Sequence, residues 1–516
     1  MNAISKTKLK NWADLFTKIY ICTVLFYQAL WQIIPVRAFL LNTGLDIISP
    51  MLAVIGLAFL LVDVFIEKTV FQSKYCYFLI AVVIIMSISS LLYINYGWTN
   101  NAKVIVWQLV QMFLIYSFYL RVDKSQMQKY LRNIFLVISV IFTVAVVISI
   151  YQFVMQISYN TPVEGSNNRQ GFQEGRLFGI FGYVFFAPLM SLLLGIGAAY
   201  SSVKAKRVWL KVLFAAQAVL FFIYIVLSGT RSTLVSMVCG ITVCAILFVR
   251  SFLTEKRKKW SSLCRLSSLI VVAVVCAVLV YGAYTGTHTL LSKIPVMLGT
   301  QNMADPGDID DSEEDDNLSD IIDGDIDILE RPDTQKEDIS NGRFKIWEDY
   351  LSCGLSSAKT VLFGFSPNYM SIIMEEFPDI YIVRYSKEHF PQSFELGRIY
   401  DTHNGYLAIN ISTGLLGFAA MMAFLICILI RAIKYFVNRK RPDSMAILIF
   451  TMLVVLAVAI LFDTEIFYKC SCASVVFWLL ISCMVKYTEL PKNKEVGSDS
   501  LAVEMESVKQ SETSEQ

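Results

Sequence analysis

His403 stands in the stretch Asp401-Thr402-His403-Asn404-Gly405-Tyr406-Leu407, where polar residues give way to a long apolar run, and it is one of three histidines in 516 residues. Imidazole titrates near neutrality, so a histidine at such a boundary can take a proton from a hydroxyl at physiological pH. The plainer alternative is a surface histidine at a helix start. His288 follows another apolar run, and His389 sits in a stretch rich in charge. Arg231 lies in Ser228-Gly229-Thr230-Arg231-Ser232-Thr233, between two strongly apolar segments. Charge near a bilayer is costly, so an arginine there is a candidate binding group, weighed against simple snorkelling to the headgroups. Arg176 opens an apolar run after Glu174 and Gly175, and Arg343 begins Gly342-Arg343-Phe344-Lys345-Ile346-Trp347. Two or three guanidinium groups near one imidazole suit a phosphate-bearing substrate, because the planar donor fork of arginine matches phosphate oxygens and stays charged. Trp347 and Asn404 flank this set as supporting residues.

The elements that must position these side chains are membrane spans. The chain is 56% hydrophobic and 17% charged, where a soluble protein carries about a quarter charged residues. Apolar runs of spanning length fall near 17–36, 47–66, 75–94, 103–120, 133–157, 177–200, 208–228, 232–249, 267–286, 405–430, 444–462 and 471–486. Backbone groups in hydrocarbon must pair within their own segment, so the runs predict helices and an all-α polytopic bundle of about 12 spans. The first run has no small-residue cleavage site and reads as an uncleaved span. Lys6, Lys8 and Lys10 and the loops 121–132, 201–207, 250–265 and 431–441 carry most of the Lys and Arg near the spans. By the positive-inside rule both termini are expected in the cytoplasm, and His403, Arg231, Arg343 and Arg176 on the outer face.

The expected organisation is a cytoplasmic tail (1–16), nine spans (17–286), a large outer loop (287–404), three spans (405–486) and a polar cytoplasmic tail (487–516). Within the loop, Asp305 to Asp333 holds 14 Asp or Glu against Arg331 alone, a composition that predicts disorder. Phe344, Trp347, Tyr350, Leu351 and Val361 to Phe365 are apolar enough to pack, and predict short helices over the membrane surface. No twelve-residue calcium pattern occurs in the acidic stretch, which reads as a solvated tether. Most of the 11 cysteines lie inside apolar runs; a disulfide among Cys353, Cys470 and Cys472 stays open, and the lone Cys470-Ser471-Cys472 lacks a zinc partner pair. A net charge of +2 implies no nucleic-acid partner.

The order of these motifs resembles the O-antigen ligase and Wzy-type polysaccharide polymerase family of bacterial lipid-linked glycan enzymes. The resemblance rests on Ser228-Gly229-Thr230-Arg231-Ser232 before a span, Arg343 with Trp347 and then Gly364-Phe365-Ser366, and His403-Asn404-Gly405-Tyr406-Leu407 running into Gly414-Leu415-Leu416-Gly417. Arg176-Leu177-Phe178-Gly179-Ile180-Phe181 resembles a further outer-loop segment. The match covers about 170–430. The chain departs from the family in having Thr230 where a serine is common, Gly182-Tyr183-Val184 where Asn-Pro-Asn is frequent, and Ser366 where a second glycine often stands.

The resemblance implies a GT-C-like, metal-independent inverting glycosyl transfer at the outer face of a bacterial plasma membrane, with no cofactor. Arg231 and Arg343 would hold the pyrophosphate of an undecaprenyl-pyrophosphate-linked oligosaccharide, Arg176 would be a secondary contact, and His403 would be the base on the acceptor hydroxyl. The expected product is a capsule, O-antigen or exopolysaccharide polymerised from lipid-linked repeat units. Expected partners are those lipid-linked sugars, the bilayer, and the flippase and chain-length regulator of the same pathway. A ligase passing finished polymer to a lipid, wall or protein acceptor is the alternative within the class. A flippase of lipid-linked sugars is the alternative outside it, disfavoured because no half-to-half repeat is evident and the charges gather at one face. A scaffold would leave the Arg and His set without purpose.

Overall fold

A computed structural model describes residues 3–163, 166–256, 262–300, 329, 342–439 and 441–489. The acidic stretch 305–333, apart from Leu329, and the tail beyond 489 lie outside the described residues, as do the expectations placed on them.

The first half of the chain forms α1 (Ala3–Trp31), α2 (Ile34–Asn42), α3 (Ile48–Val62), α4 (Cys76–Leu92), α5 (Trp98–Leu109), α6 (Phe118–Arg121) and α7 (Lys124–Val154). A small antiparallel sheet follows: β1 (Ser158–Val163), β2 (Ser166–Gln173) and β3 (Arg176–Gly179), in that order. The chain returns to helix in α8 (Phe186–Lys204), α9 (Val208–Leu227), α10 (Arg231–Lys256), α11 (Ser262–Ser292) and α12 (Ile294–Met297). Five short helices, α13 (Arg343–Gly354), α14 (Ala358–Phe363), α15 (Tyr369–Glu376), α16 (Tyr381–His389) and α17 (Pro391–Glu395), make a cap. The chain then descends and returns through α18 (Gly405–Asn438), α19 (Ser444–Ala459) and α20 (Cys472–Thr488).

The molecule is a polytopic helical membrane protein. Among the described residues, eight helical segments are long and apolar enough to cross a bilayer, and three shorter apolar helices (Cys76–Leu92, Ser444–Ala459, Cys472–Thr488) accompany them. Lipid explains the sequence of α11, where Leu266, Ile270, Val274 and Val278, four residues apart on one face, are each more than half exposed. Helix starts follow capping rules: the Asp123 side chain accepts from the Gln126 N–H, Asp443 from the Met445 N–H and Ser471 from the Ser474 N–H.

Two expected spans differ in detail. The run 177–200 begins as β3 and becomes helix only at Phe186, because Arg176–Gly179 pairs with β2, with Phe172 opposite Leu177. The first run breaks after Trp31; Pro35, fixed in φ, sits in the first turn of the separate helix α2. All eleven cysteines are free, which answers the open disulfide.

Two cores result. The larger lies within the bundle. The smaller joins the cap to the bundle's end, with Ile346, Tyr350, Phe365, Tyr369, Ile372 and Ile382 packed on Tyr93 at the end of α4 and Ile411 in α18. The end of the bundle covered by this smaller core is the cap pole.

The cap is also stitched to α18 through the backbone. At Gly414 α18 departs from helical geometry (φ 61°, ψ −170°). The freed carbonyls of Ile411 and Ser412 accept from the N–H groups of Phe365 (2.7 Å) and Ser366 (2.9 Å). The two chains approach so closely that a Cβ on Gly364 would fall 2.5 Å from the Gly414 nitrogen. Ser366, at the place of the second family glycine, holds φ +86°, a left-handed conformation that glycine adopts more readily.

Candidate active site

The turn 401–404 brings polar side chains to the top of α18. Asn404 caps that helix, its side chain accepting from the Tyr406 (3.0 Å) and Leu407 (3.1 Å) N–H groups. His403, just before it, has φ +46°, a left-handed conformation uncommon outside glycine and kept where the surroundings over-determine it. The surroundings here are specific. The Gly405 N–H donates to the Ile460 carbonyl (2.7 Å), fastening the turn to the chain leaving α19. The Trp347 indole N–H donates to the Thr402 carbonyl (2.9 Å), fastening it to α13. The Tyr400 ring meets the imidazole edge to face, with centroids 4.8 Å apart.

Beside this turn runs 460–471, between α19 and α20, and it supplies charges. The Asp401 carboxylate accepts from the Tyr369 hydroxyl (2.8 Å), its neighbour's N–H (2.7 Å) and the Thr464 hydroxyl, and pairs with the Lys469 ammonium at 3.4 Å. Lys469 also donates to Glu465 at 2.9 Å. The segment is held from below by Gln111, in the wide turn Val110–Ile115 that continues α5: its amide donates to the Lys469 carbonyl (3.3 Å) and accepts from the Ser474 hydroxyl (2.9 Å).

These neighbours set the protonation states. Burial alone would push Asp401 up, but Lys469, His403 and the donated hydrogen bonds outweigh it and bring the carboxyl to about 2. Burial pushes His403 down; Asp401 opposes this, while Arg343 and Lys469 add to it, and the imidazole settles at about 4. Burial works against the Lys469 charge, yet Glu465, Asp401, Tyr183 and Asp463 hold its ammonium well above the ordinary range. Asp463, buried and beside Glu465, is pushed up. At neutral pH the site thus holds a neutral imidazole between an anion and cations, the state a general base needs.

The sequence-derived residues fall into two groups around this segment. His403, Asn404, Trp347 and Arg343 form the first. Arg343 opens α13 and lays its guanidinium 5.8 Å from the Phe462 ring centroid, close enough to His403 to depress its imidazole. Arg176 and Arg231 form the second. The Arg176 guanidinium donates to the Ser228 carbonyl (3.2 Å), in the turn that precedes Arg231, and Arg231 is exposed as the first residue of α10. The Thr230 hydroxyl of that turn donates to the Val184 carbonyl (2.8 Å). Next to Val184, Tyr183 feels the charges of Asp463, Lys469 and Asp401, which links the second group to the first.

Gly240 of α10 abuts Val455 of α19. His288 lies near the end of α11, and His389 ends α16, stacked on the Tyr385 ring (centroids 4.1 Å apart).

Asp401, Glu465 and Lys469 also line a cavity of about 710 Å³, on whose wall His403, Arg231, Arg343 and Arg176 do not appear. Among the described residues, no group of three or more His, Cys, Asp and Glu side chains is placed to hold a metal ion.

Sequence reasoning missed Lys469, Asp463, Thr464 and Glu465. They sit in a connector of a dozen residues between α19 and α20, and the available signal was the charge of Asp463, Glu465 and Lys469 in a short link flanked by spans.

Residues 216–422 match the family model described as O-antigen ligase, a segment that contains Arg231, Arg343 and His403 but neither Arg176 nor Lys469. No curated protein matches the chain.

Proposed function

We propose that this chain, a membrane enzyme of polysaccharide assembly by virtue of the O-antigen ligase domain at 216–422, is a glycosyltransferase that polymerises polyprenyl-pyrophosphate-linked repeat units at the outer face of a bacterial plasma membrane. The observation that carries the reading is a neutral imidazole at the top of a membrane helix with Arg343 and Lys469 beside it and Asp401 behind.

In this reaction His403 accepts the proton of an acceptor sugar hydroxyl. The hydroxyl oxygen forms a bond to the anomeric carbon of the donor, and the bond from that carbon to pyrophosphate breaks, with inversion. The electron pair leaves on a phosphate oxygen, and Arg343 and Arg231 stabilise the lipid pyrophosphate as it departs. A positioned base contributes about 10²–10⁴-fold, and each fixed donor facing developing negative charge about 10²–10³-fold. Fixed cations and lipid activation together call for neither metal nor nucleotide.

The low affinity of His403 for protons fits this scheme. Burial does most to depress it and Arg343 adds to this; a diphosphate bound at Arg343 would neutralise that cation and raise the imidazole toward the range in which a base works best. Arg176 acts one step away, holding the turn before Arg231.

A ligase that passes finished polymer to another acceptor is the second reading, favoured by the family description itself. Purified protein given lipid-linked repeat units alone separates the two: a polymerase yields a ladder of lengthened products, and a ligase leaves the units unchanged. Products absent even with a supplied non-sugar acceptor would remove the glycosyl-transfer reading altogether.

A further inference from the structure

The 710 Å³ cavity beside the charge cluster is within the size range that binding pockets use to enclose a small organic ligand. It is built where the end of α1, the start of α2, the start of α5, the sheet, the cap and the connector between α19 and α20 converge. Asn100, Asn168, Asn368 and Gln32 bring side-chain amides to its wall, and Ser371 and Ser471 bring hydroxyls. Asn168, Asn368, Ser371 and Ser471 already donate to the protein, to the carbonyls of Thr161, Tyr96, Gly397 and Glu465, which fixes their oxygens; amides and hydroxyls of this kind are the groups that meet sugar hydroxyls. Trp31 and Tyr183 add aromatic surface, suited to the apolar C–H faces of a pyranose ring.

Charge on the wall is mixed. Arg37, Arg398 and Lys469 are offset by Asp401 and Glu465, which suits neither a lipid tail nor a bare polyphosphate. A wall of this kind suits a saccharide. It touches the reacting centre through Asp401, two residues from His403, and through Lys469, without containing the imidazole or any of the arginines proposed for pyrophosphate.

We infer that this cavity holds the non-reacting sugars of the acceptor, the residues next to the one whose hydroxyl is extended. The inference rests on the glycosyl-transfer reading and deepens it. Binding energy from sugars that do not react would then fix the reacting hydroxyl at His403, and the identity of the repeat unit would be read here, away from the diphosphate.

The test uses the full-length protein in lipid nanodiscs with the host's lipid-linked repeat unit as donor. Two lipid-free acceptors are compared: the repeat-unit oligosaccharide released by mild acid, and the monosaccharide at its non-reducing end. Wild-type protein is expected to show a KM at least tenfold lower for the oligosaccharide. Trp31→Ala removes an aromatic wall and Asn100→Trp narrows the space, and each is expected to bring the ratio of the two KM values close to one. A ratio near one in wild type, or an unaltered tenfold ratio in both variants, overturns the inference. Calorimetric titration of the oligosaccharide into the same samples gives an independent reading. If wild type transfers to neither acceptor but binds the oligosaccharide, and Asn100→Trp abolishes binding, the saccharide site stands and the transfer reading falls. If wild type neither transfers nor binds, both fall.

Discussion

The protein buries two clusters of charge, one at each pole, and their difference separates structure from chemistry. At the pole opposite the cap, Arg121 contacts three carboxylates: Asp63 at 2.7 Å, Glu67 at 2.7 Å and Asp14 at 3.3 Å. Its side chain is 2% exposed and that of Asp63 1%, so the cluster is closed. It ties α6 to α1 and to the turn following α3. At the cap pole, Asp401 and Lys469 stand 3.4 Å apart in a looser arrangement, and the lysine side chain is 41% exposed toward the cavity. In the first cluster three carboxylates pair the guanidinium, although Arg121 Nε, Asp63 Oδ2 and Glu67 Oε1 find no hydrogen-bond partner among the described residues. The second leaves an ammonium on the wall of a cavity. Under the proposed function, access and not burial of charge distinguishes the working cluster.

The contrast can be broken at either cluster. The largest effect is expected at the open one: His403→Ala should lower chain extension by about 10²–10⁴-fold while expression and thermal stability hold, and normal-length polymer from this variant would remove it as the base. At the closed cluster the outcome should invert. Arg121→Met strands three carboxylates and should destabilise the fold by about 3–5 kcal/mol, seen as an early thermal aggregation midpoint in detergent; a stable but inactive variant would mean the cluster does chemistry after all.

A smaller effect sharpens the electrostatics of the open site. The base form of His403 exists above about pH 4, so the acid limb of kcat/KM should lie there and not at the 6.5 of a free imidazole. Arg343→Gln removes a cation that depresses the imidazole and should move the limb to higher pH. Asp401→Asn removes the anion that raises it and should move the limb lower. Shifts in the opposite directions would mean that another group titrates. The smallest effect belongs to Trp347→Phe, which deletes the hydrogen bond to Thr402 and should cost about 1 kcal/mol, roughly fivefold in kcat.

Hydropathy made the spans legible because lipid imposes one solution on an apolar segment of about twenty residues. It failed at Leu177-Phe178-Gly179-Ile180-Phe181, where a short apolar run reads equally as strand or helix and the partner strand decides. The break between α1 and α2 was signalled by Pro35 and overlooked because hydropathy continues across it. At the site, His403 and the arginines could be named from motif order and from the cost of charge near lipid. Asp401–Lys469 could not be paired, because the two residues are 68 apart and meet only once α18 and α19 have packed. Asn404, read as a supporting residue, acts as a helix cap.

The interruption of α18 at Gly414 has a mechanical consequence. Above it, the two turns from Gly405 share backbone hydrogen bonds with the cap through Phe365 and Ser366, and so belong to the cap as much as to the helix. Below it, the remaining stretch to Asn438 answers to the bilayer. A membrane that thickens, thins or tilts its helices would flex the chain at this joint, and the imbalance would be absorbed there before it could shift the imidazole against Ile460 and its neighbours.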